Sequence, residues 1–559
     1  MAIFWVADAI FTAFLYLVIG FWIVRTAKSA LFYLYLWQLK EYHIGRFLDH
    51  FRTAQGKNLL INKLFVVKVF LFLFFLFPMW AATADFQLAY FGVVFFILSV
   101  VVPLFTLTVL YGLEAVRFRS SRKPVFTEKT ILLFVLILFG EFLAILLVHR
   151  LSAFVVTFHW GFVASTFVYP IGLLVVDLLM PLFVSAVVLA LQPFAVLARN
   201  RIIRQAREKR KKFKNLKVVG ITGSYGKTST KEFLAYILGQ KFQVLKTPEH
   251  MNSEMGIAQT ILRSLTDEHD IFVCEMGAYN KGGIKLLADI VKPDIGIVTG
   301  VNEQHLATFG SMENLLSAEG GGELAEALPK EGVLFVNQNA ISRLADKIHY
   351  NAKCKVSTPQ IPQTKVAKDY ISFEVEGVSF RVPVYGGHNV QNLLLAIAAA
   401  KELGMSIEEI AKVAESMPLE LSAMKVKKIE SGATVIDSTY SANPDGVIAD
   451  LEYLNLYEGK KVLVMPCLIE LGPAAKEAHK RIGQKIAEVC DLAIITTKEY
   501  FEDIKEGMYE VEPRTCEVVY MENTREILGK IGEANAILLE GGKESRLQLQ
   551  LIALLLNND

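Results

Sequence analysis

The chain has 559 residues, 53% of them hydrophobic, and its 58 lysines and arginines nearly balance 56 aspartates and glutamates, for a formal net charge of +2. That balance conceals a strongly basic stretch offset by a more acidic remainder, so it excludes little by itself. The five cysteines (Cys274, Cys354, Cys467, Cys490, Cys516) lack CxxC spacing, which leaves free thiols and gives no case for a zinc site.

The apolar residues are concentrated in the first 197 positions, in stretches near the ~20 residues a helix needs to cross a bilayer. These are Ile3–Val24, Leu64–Ala82, Leu88–Tyr111, Ile131–Val148 and the long Phe154–Val196. The first has no basic residues before it and no cleavage site after it, so it does not read as a signal peptide. Five such segments in succession exceed what a soluble core would hold, and residues 1–197 read as an α-helical membrane domain. Basic loops sit on the cytoplasmic side, and Arg25–Lys63, Arg117–Lys129 and Arg199–Lys217 are all basic. Placing the three together requires an outside N-terminus and an odd number of crossings. Five crossings satisfy this, with Phe154–Val196 crossing once and Ala30–Trp37 lying at the interface. Lys68, Glu141, His159 and Asp177 fall in or near the spans, where ionisable groups face a partner, a polar cavity or a lipid headgroup. Residues 198–217 form a basic juxtamembrane linker. Ten basic residues directly after a span read as an anchor on anionic lipid, and nucleic acid is not expected as a partner.

The segment Leu216–Gly220 is apolar and strand-like, and Thr230–Leu238 is helix-like. Between them runs Gly220-Ile-Thr-Gly-Ser-Tyr-Gly-Lys-Thr-Ser-Thr230. A strand, Gly-rich turn and helix together aim backbone N–H groups and a helix N-terminus at phosphate oxygens. Lys227 then reaches the β- and γ-phosphates and the Thr228 hydroxyl binds Mg²⁺. The spacing, Gly220-x5-Gly226-Lys227-Thr228, is one residue longer than GxxxxGK[ST]. Gly223, Ser224, Tyr225, Gly226, Lys227, Thr228 and Ser229 are therefore the candidate nucleotide contacts. Glu275 closes the apolar run Val273–Glu275 with a carboxylate, at the strand end where α/β sheets bind ligands. His305, taken alone, reads more readily as an ordinary loop histidine than as a metal ligand. Strands at Lys217–Gly223, Ile271–Glu275 and Ile295–Thr299 alternate with helical stretches, as do Thr434–Asp437, Lys461–Met465, Leu492–Thr496 and Ala536–Glu540, which predicts two α/β domains. Lys365–Val384 looks like added β structure.

The longer loop TGSYGKTST does not stand alone. Glu249–Gly256, Val273–Gly277, Ile297–Leu306, Gly387–Asn392, Val435–Pro444 and Glu470-Leu-Gly472 with His479 follow it in order. From residue 218 to the end the chain resembles the Mur ligase family, MurF type, whose members join D-alanyl-D-alanine to a UDP-muramoyl peptide. The resemblance implies a central P-loop ATPase domain at 218–420, a Rossmann-like C-terminal domain at 421–559, ATP and Mg²⁺ as cofactors, and an acyl-phosphate mechanism. It implies a substrate contact at Asn252, metal ligands at Thr228, Glu275 and His305, and ATP contacts at His388, Asn389 and Asn392 on the adenine side. Asp437 is implied near the ribose, or is simply a strand-end residue. The catalytic set is then Lys227, Glu275, His305 and Glu319.

The departures from the family pattern are specific. Its carbamylated lysine falls at Glu319, whose own carboxylate would serve, or at Gly321, in which case the ligand is absent. Its linker arginine falls at Ala423, the second aspartate of DDSYNANP at Ser438, and an asparagine of the metal-histidine segment at Gly300. The membrane domain and linker stand where the family has its UDP-sugar domain. The expected partners are a carboxylate acceptor (a UDP-muramoyl peptide or a lipid-linked precursor), an amino acid or dipeptide donor, and membrane lipids. A ligase of cell-wall precursors at the inner membrane, with its ligase domains in the cytoplasm, is one reading. A catalytically weakened, nucleotide-sensing membrane scaffold is the other.

Overall fold

The computed structural model describes residues 2–40, 42, 44–52, 56–57, 59, 61–83, 102–117, 123–157, 161–338, 350, 352–421, 424–430, 432–439, 442–512, 516–541, 550–551 and 554. It divides into two compact units, Met1–Ala198 and Arg199–Asp559.

The first unit is helical: Ala2–Leu39, Ile44–Arg52, Lys63–Thr83, Val102–Arg117, Glu128–Thr157 and the first part of Gly161–Lys212. Among the described residues, Leu15–Leu39, Glu128–Phe154 and Val168–Lys212 are long and apolar enough to cross a membrane. Lys63–Thr83 adds a 21-residue apolar helix over the predicted Leu64–Ala82. One expectation is corrected. Ala30–Trp37 is not a separate interfacial segment but the end of the first helix. No proline or glycine interrupts residues 21–39, Thr26 folds its hydroxyl back onto the Trp22 carbonyl at 2.8 Å, and Arg25 finds carboxylates. Phe154–Val196, expected to cross once with the rest re-entrant or strongly tilted, is divided between two helices. Phe154 belongs to the helix ending at Thr157, and a new helix runs from Gly161 through Pro170, Pro181 and Pro193. The first part of Leu88–Tyr111, and His159, lie outside the described residues.

Four helices of this unit meet at a buried cluster of charge. Lys68 binds both oxygens of Glu114 at 2.8 and 2.7 Å and Asp177 at 2.9 Å. Arg25 binds Glu114 at 3.0 Å and also pairs with Asp177. Two cations and two anions thus alternate, with Val18, Trp22, Phe75, Leu107 and Leu173 in the adjoining core. Buried ions persist where each is paired.

The second unit opens with Arg199–Lys212, which the sequence predicts as a linker and which is helical. Ile203 and Ala206 enter the core of the central domain. Buried Arg210 donates to the carbonyls of Val291, Phe213 and Leu216 at 2.8, 2.8 and 3.2 Å. Only part of the basic run is therefore free for a lipid surface; Arg201, Arg204, Lys211 and Lys212 are exposed. Beyond it come β1 (Lys217–Thr222), β2 (Val244–Lys246), β3 (Ile271–Glu275), β4 (Ile295–Val298), β5 (Val333–Val336) and β6 (Lys355–Ser357). They form one parallel sheet ordered β2-β3-β1-β4-β5-β6. Parallel strands covered on both faces read as continuous apolar runs, and β3 and β4 are buried throughout. The predicted β structure at Lys365–Val384 is a three-stranded antiparallel sheet, β7 (Lys365–Val366), β8 (Ile371–Val375) and β9 (Val378–Val382).

The C-terminal sheet comprises β10 (Lys425–Lys428), β11 (Thr434–Ser438), β12 (Lys461–Met465), β13 (Leu492–Ile495), β14 (Glu517–Tyr520) and β15 (Ala536–Glu540), ordered β10-β11-β15-β12-β13-β14. All its pairings are parallel except β10 with β11.

Candidate functional site

Strand register brings the chemistry together. Ile221 of β1 pairs with Glu275 at the end of β3, and Thr222 pairs with Val298 at the end of β4. The carboxyl ends of three neighbouring strands thus converge where the phosphate loop leaves β1, the position at which open α/β sheets bind ligands. Gly226 takes φ +81° before the helix Lys227–Leu238, and a Cβ there would lie 2.5 Å from Asn392 Oδ1, so only glycine fits.

Three polar side chains gather around the Glu275 carboxylate. Thr228 donates to Oε2 at 3.1 Å, Asn252 donates to Oε1 at 3.0 Å, and Lys231 Nζ lies 3.2 Å from Oε2. The hydroxyl and carboxylate oxygens suit Mg²⁺, which prefers few carboxylates and completes its shell with water and phosphate. Among the described residues no three His, Cys, Asp or Glu side chains are grouped to hold a metal by themselves.

Across the loop, Glu319 is 1% exposed and accepts from Ser224 Oγ at 2.7 Å and from His305 Nδ1 at 2.8 Å. Burial alone would push its pKa up, but the His305 charge and hydrogen bond, Lys227 and the Ser224 hydroxyl together hold it below the usual carboxylate range. Gly321 offers no such site: its φ is +88° and a Cβ there would lie 2.2 Å from Val298 Cγ2. Glu323 is spent as a helix cap, accepting from the backbone N–H of Gly282 at 2.6 Å and of Lys285 at 2.9 Å. Gly300 also has a physical reason, because the Tyr225 ring lies 1.9–2.4 Å from where its Cβ would be.

A cavity of about 330 Å³ lies between the central and C-terminal sheets. Its wall includes Ser224, Tyr225, Gly226, Lys227, Thr228, Ser229, Asn252, Glu275, His305, His388 and Asn392 from the expected set, facing Ser438, Asn443, Asp445 and Asp450. Asn302 bridges the two sides, donating to Asn443 at 2.7 Å and Asp445 at 3.1 Å. Besides Glu319, which sits behind Ser224 and His305, three expected contacts are not on this wall. Gly223 packs behind the loop against Thr299. Asn389 is 1% exposed and its amide is spent on the Tyr385 carbonyl at 2.8 Å. Asp437 turns back to accept from the Thr439 N–H at 3.1 Å and hydroxyl at 2.7 Å, the strand-end alternative. Asp450 is on the wall instead, bonded to Ser438 and 3.6 Å from His388 Nδ1. His479 is a core residue: it is fully buried, accepts from the Leu468 N–H at 2.9 Å and stacks on Tyr500. Ala423 lies outside the described residues.

Residues 221–400 match the Mur ligase middle domain and residues 424–541 match the Mur ligase, glutamate ligase domain. The chain belongs to the Mur ligase family. It is 30% identical over 282 residues to UDP-N-acetylmuramoyl-tripeptide–D-alanyl-D-alanine ligase of Bacillus subtilis, covering 48% of this chain and 60% of that one. With the Mycobacterium leprae protein of the same name it shares 35% over 262 residues, 43% of this chain and 50% of that one. The chain therefore spans only 50–60% of the length of these curated relatives. Crystal structures of MurF from Acinetobacter baumannii and, in complex with ADP, from Thermotoga maritima share its fold, each with a TM-score of 0.55. They cover 63% and 64% of this chain and 80% and 84% of theirs, at 24% and 23% identity.

Three groups of this Mur ligase escape motif reading. Lys231 is fully buried against Glu275, and its only sequence signal is a lysine on the apolar side of the loop helix. Asp450 sits mid-helix in Pro444–Leu454, where no motif marks it. Glu540 ends β15 as Glu275 ends β3, a strand-end carboxylate that periodicity alone could have flagged.

Proposed function

We propose that this chain is an ATP-dependent carboxylate–amine ligase of cell-wall precursor synthesis, held at the inner membrane by its N-terminal helices. The observation that supports it best is the meeting, on one 330 Å³ cavity, of the phosphate loop with Glu275, His305 and the acidic wall of the C-terminal sheet. In this reading the phosphate loop and Lys227 bind the triphosphate of ATP. A substrate carboxylate attacks the γ-phosphorus, the bond to the ADP oxygen breaks, and an acyl phosphate results. The amine then attacks the acyl carbon and phosphate leaves. Such chemistry asks the protein chiefly for positioning and charge stabilisation. Mg²⁺, when bound, neutralises charge on the phosphate oxygens; Thr228 and Glu275 would hold it. His305, set by Glu319, orients toward the transferring group, and Glu319 supplies directly the carboxylate that the family obtains from carbamylated lysine. Asn252 holds Glu275 in place and faces the acceptor.

The basic loops favour ligase domains in the cytoplasm and an outside N-terminus. With apolar helices directly before the ATP-binding domain, the acceptor in this reading is a carboxylate presented at the membrane face. The test is phosphate release by detergent-purified protein with ATP and Mg²⁺. One arm holds UDP-muramoyl tripeptide with D-alanyl-D-alanine, the other membrane lipid extract with an amino-acid mixture. Stimulation by lipid extract alone supports the lipid-linked acceptor, and stimulation by the soluble pair makes the chain a membrane-tethered MurF. Silence in both arms, with ATP still bound, removes the ligase reading in favour of a nucleotide-sensing scaffold.

A further inference from the structure

Lys231 has no part in the chemistry above, yet it is a fully buried charge beside the site. It is 0% exposed, and its Nζ finds no hydrogen-bond partner among the described residues. Its neighbours are two carboxylate oxygens, Glu275 Oε2 at 3.2 Å and Glu232 Oε1 at 3.3 Å. Glu232 is also paired with Lys246, so the charge that Lys231 chiefly answers is that of Glu275. A buried ammonium with incomplete hydrogen bonding is unfavourable, and an apolar residue of similar volume is often as stable or more so. On the loop helix Lys231 lies three residues beyond Thr228, on the same face, and it shares Oε2 with the Thr228 hydroxyl.

We infer that Lys231 is a built-in counter-cation for Glu275, which excludes a free divalent cation from the site until a nucleotide triphosphate brings one; this rests on the proposed ATP reading. The charges explain why. Glu275 contributes one negative charge and Lys231 one positive, so the pair presents no net attraction to a bare dication. With no three-carboxylate or histidine group to add ligands among the described residues, the protein alone is a weak metal site. A triphosphate adds several negative charges and oxygen ligands at the loop, which tips the balance toward binding. Binding is thereby ordered: metal enters with nucleotide, and an ion cannot occupy Glu275 alone.

The experiment measures Mn²⁺ binding to the full-length protein by electron paramagnetic resonance, with and without a non-hydrolysable ATP analogue, for wild type, Lys231→Met and Lys231→Met/Glu275→Gln. Wild type should bind Mn²⁺ at least tenfold more weakly without the analogue than with it. Lys231→Met should gain nucleotide-independent Mn²⁺ affinity of roughly tenfold or more, and the added Glu275→Gln should abolish the gain. Equal affinity of Lys231→Met and wild type for free Mn²⁺ overturns the proposal. Tight nucleotide-independent Mn²⁺ binding by wild type overturns it without any variant, so a poorly folded Lys231→Met does not protect it. Failure of wild type to bind the analogue, read separately by calorimetry, instead strikes the ATP reading, while the nucleotide-free arm still decides whether Lys231 repels a dication.

Discussion

Two buried clusters, one in each unit, treat charge in opposite ways. In the helical unit, Arg25, Lys68, Glu114 and Asp177 alternate in sign and answer one another across four helices. In the ligase unit, Glu540, Asp450 and Asp437 crowd together with like sign, Glu540 Oε1 has no hydrogen-bond partner among the described residues, and Lys227 rests on the carbonyls of Gly223 and Ser224. A cluster balanced in charge answers itself and serves to tie helices together. An unbalanced one is held by the surrounding fold and remains free to answer a ligand or a proton. Removing a charge should therefore cost activity in the second unit and stability in the first.

The largest expected effect is on activity. Lys227→Ala removes the only loop side chain with a positive charge, and ATP turnover should fall by roughly 10²–10³-fold or more, with the thermal transition little changed. Phosphate release measured beside differential scanning fluorimetry separates the two, and retained turnover would remove the phosphate-loop assignment. Lys68→Met is its mirror. It leaves Glu114 and Asp177 with Arg25 alone, and stripping one partner from a buried pair costs about 3–5 kcal/mol. The helical unit should lose thermal stability in detergent, and the double variant Lys68→Met/Glu114→Gln should recover part of the loss. Lys68→Met with unchanged melting would break the comparison, because the network would then be spare charge.

The contrast also explains what could be read without a structure. Sheet strands were legible because burial on both faces makes Ile271–Glu275 or Lys461–Met465 continuous apolar runs ending abruptly, and the phosphate loop because its glycines are demanded by local geometry. Membrane segments were legible in composition but not in their ends. A helix rich in Leu and Phe does not stop at a polar residue when tertiary partners exist for it, as the passage through Arg25 to Leu39 demonstrates. Asp437 and Asn389 misled because a motif fixes which residues are near a site, not which way each side chain turns. Lys231 and Asp450 were invisible because their partners lie 44 residues away, at Glu275, and 62 residues away, at His388, pairings that only the folded topology makes.

A smaller effect tests how the loop is shaped. Gly300 receives the Tyr225 ring, and the carbonyl of Gly300 accepts from the N–H groups of Ser224 and Tyr225 at 2.8 and 3.2 Å. Gly300→Asn should displace the loop and weaken nucleotide affinity by about tenfold, or 1.4 kcal/mol. Tyr225→Ala added to it should restore most of that affinity by opening the space. Additive losses in calorimetric titrations of the two single variants and the double would show that the two residues do not interlock.

The smallest effect concerns the crowded carboxylates themselves. Burial first, then the charge and hydrogen bond of Asp450, with the charge of Asp437, push the Glu540 pKa well above the usual carboxylate range. In the unfolded chain Glu540 titrates near its ordinary value, about 4.3. Its contribution to stability is therefore complete below that value and is lost as pH rises toward the folded pKa, where a third carboxylate charge would have to be accommodated beside Asp450 and Asp437. Glu540→Gln keeps the shape and a donor without the proton, so its melting temperature should exceed that of wild type by a margin that grows from pH 5 to pH 8. Each kcal/mol of that margin corresponds to roughly 2–4 °C. Buried His479, whose pKa is lowered by its burial, moves stability in the other direction but is common to both proteins and cancels in the difference. Parallel melting curves across the pH range would mean that Glu540 is ionised in the fold, and that the ligase unit pairs its buried charge as the helical unit does.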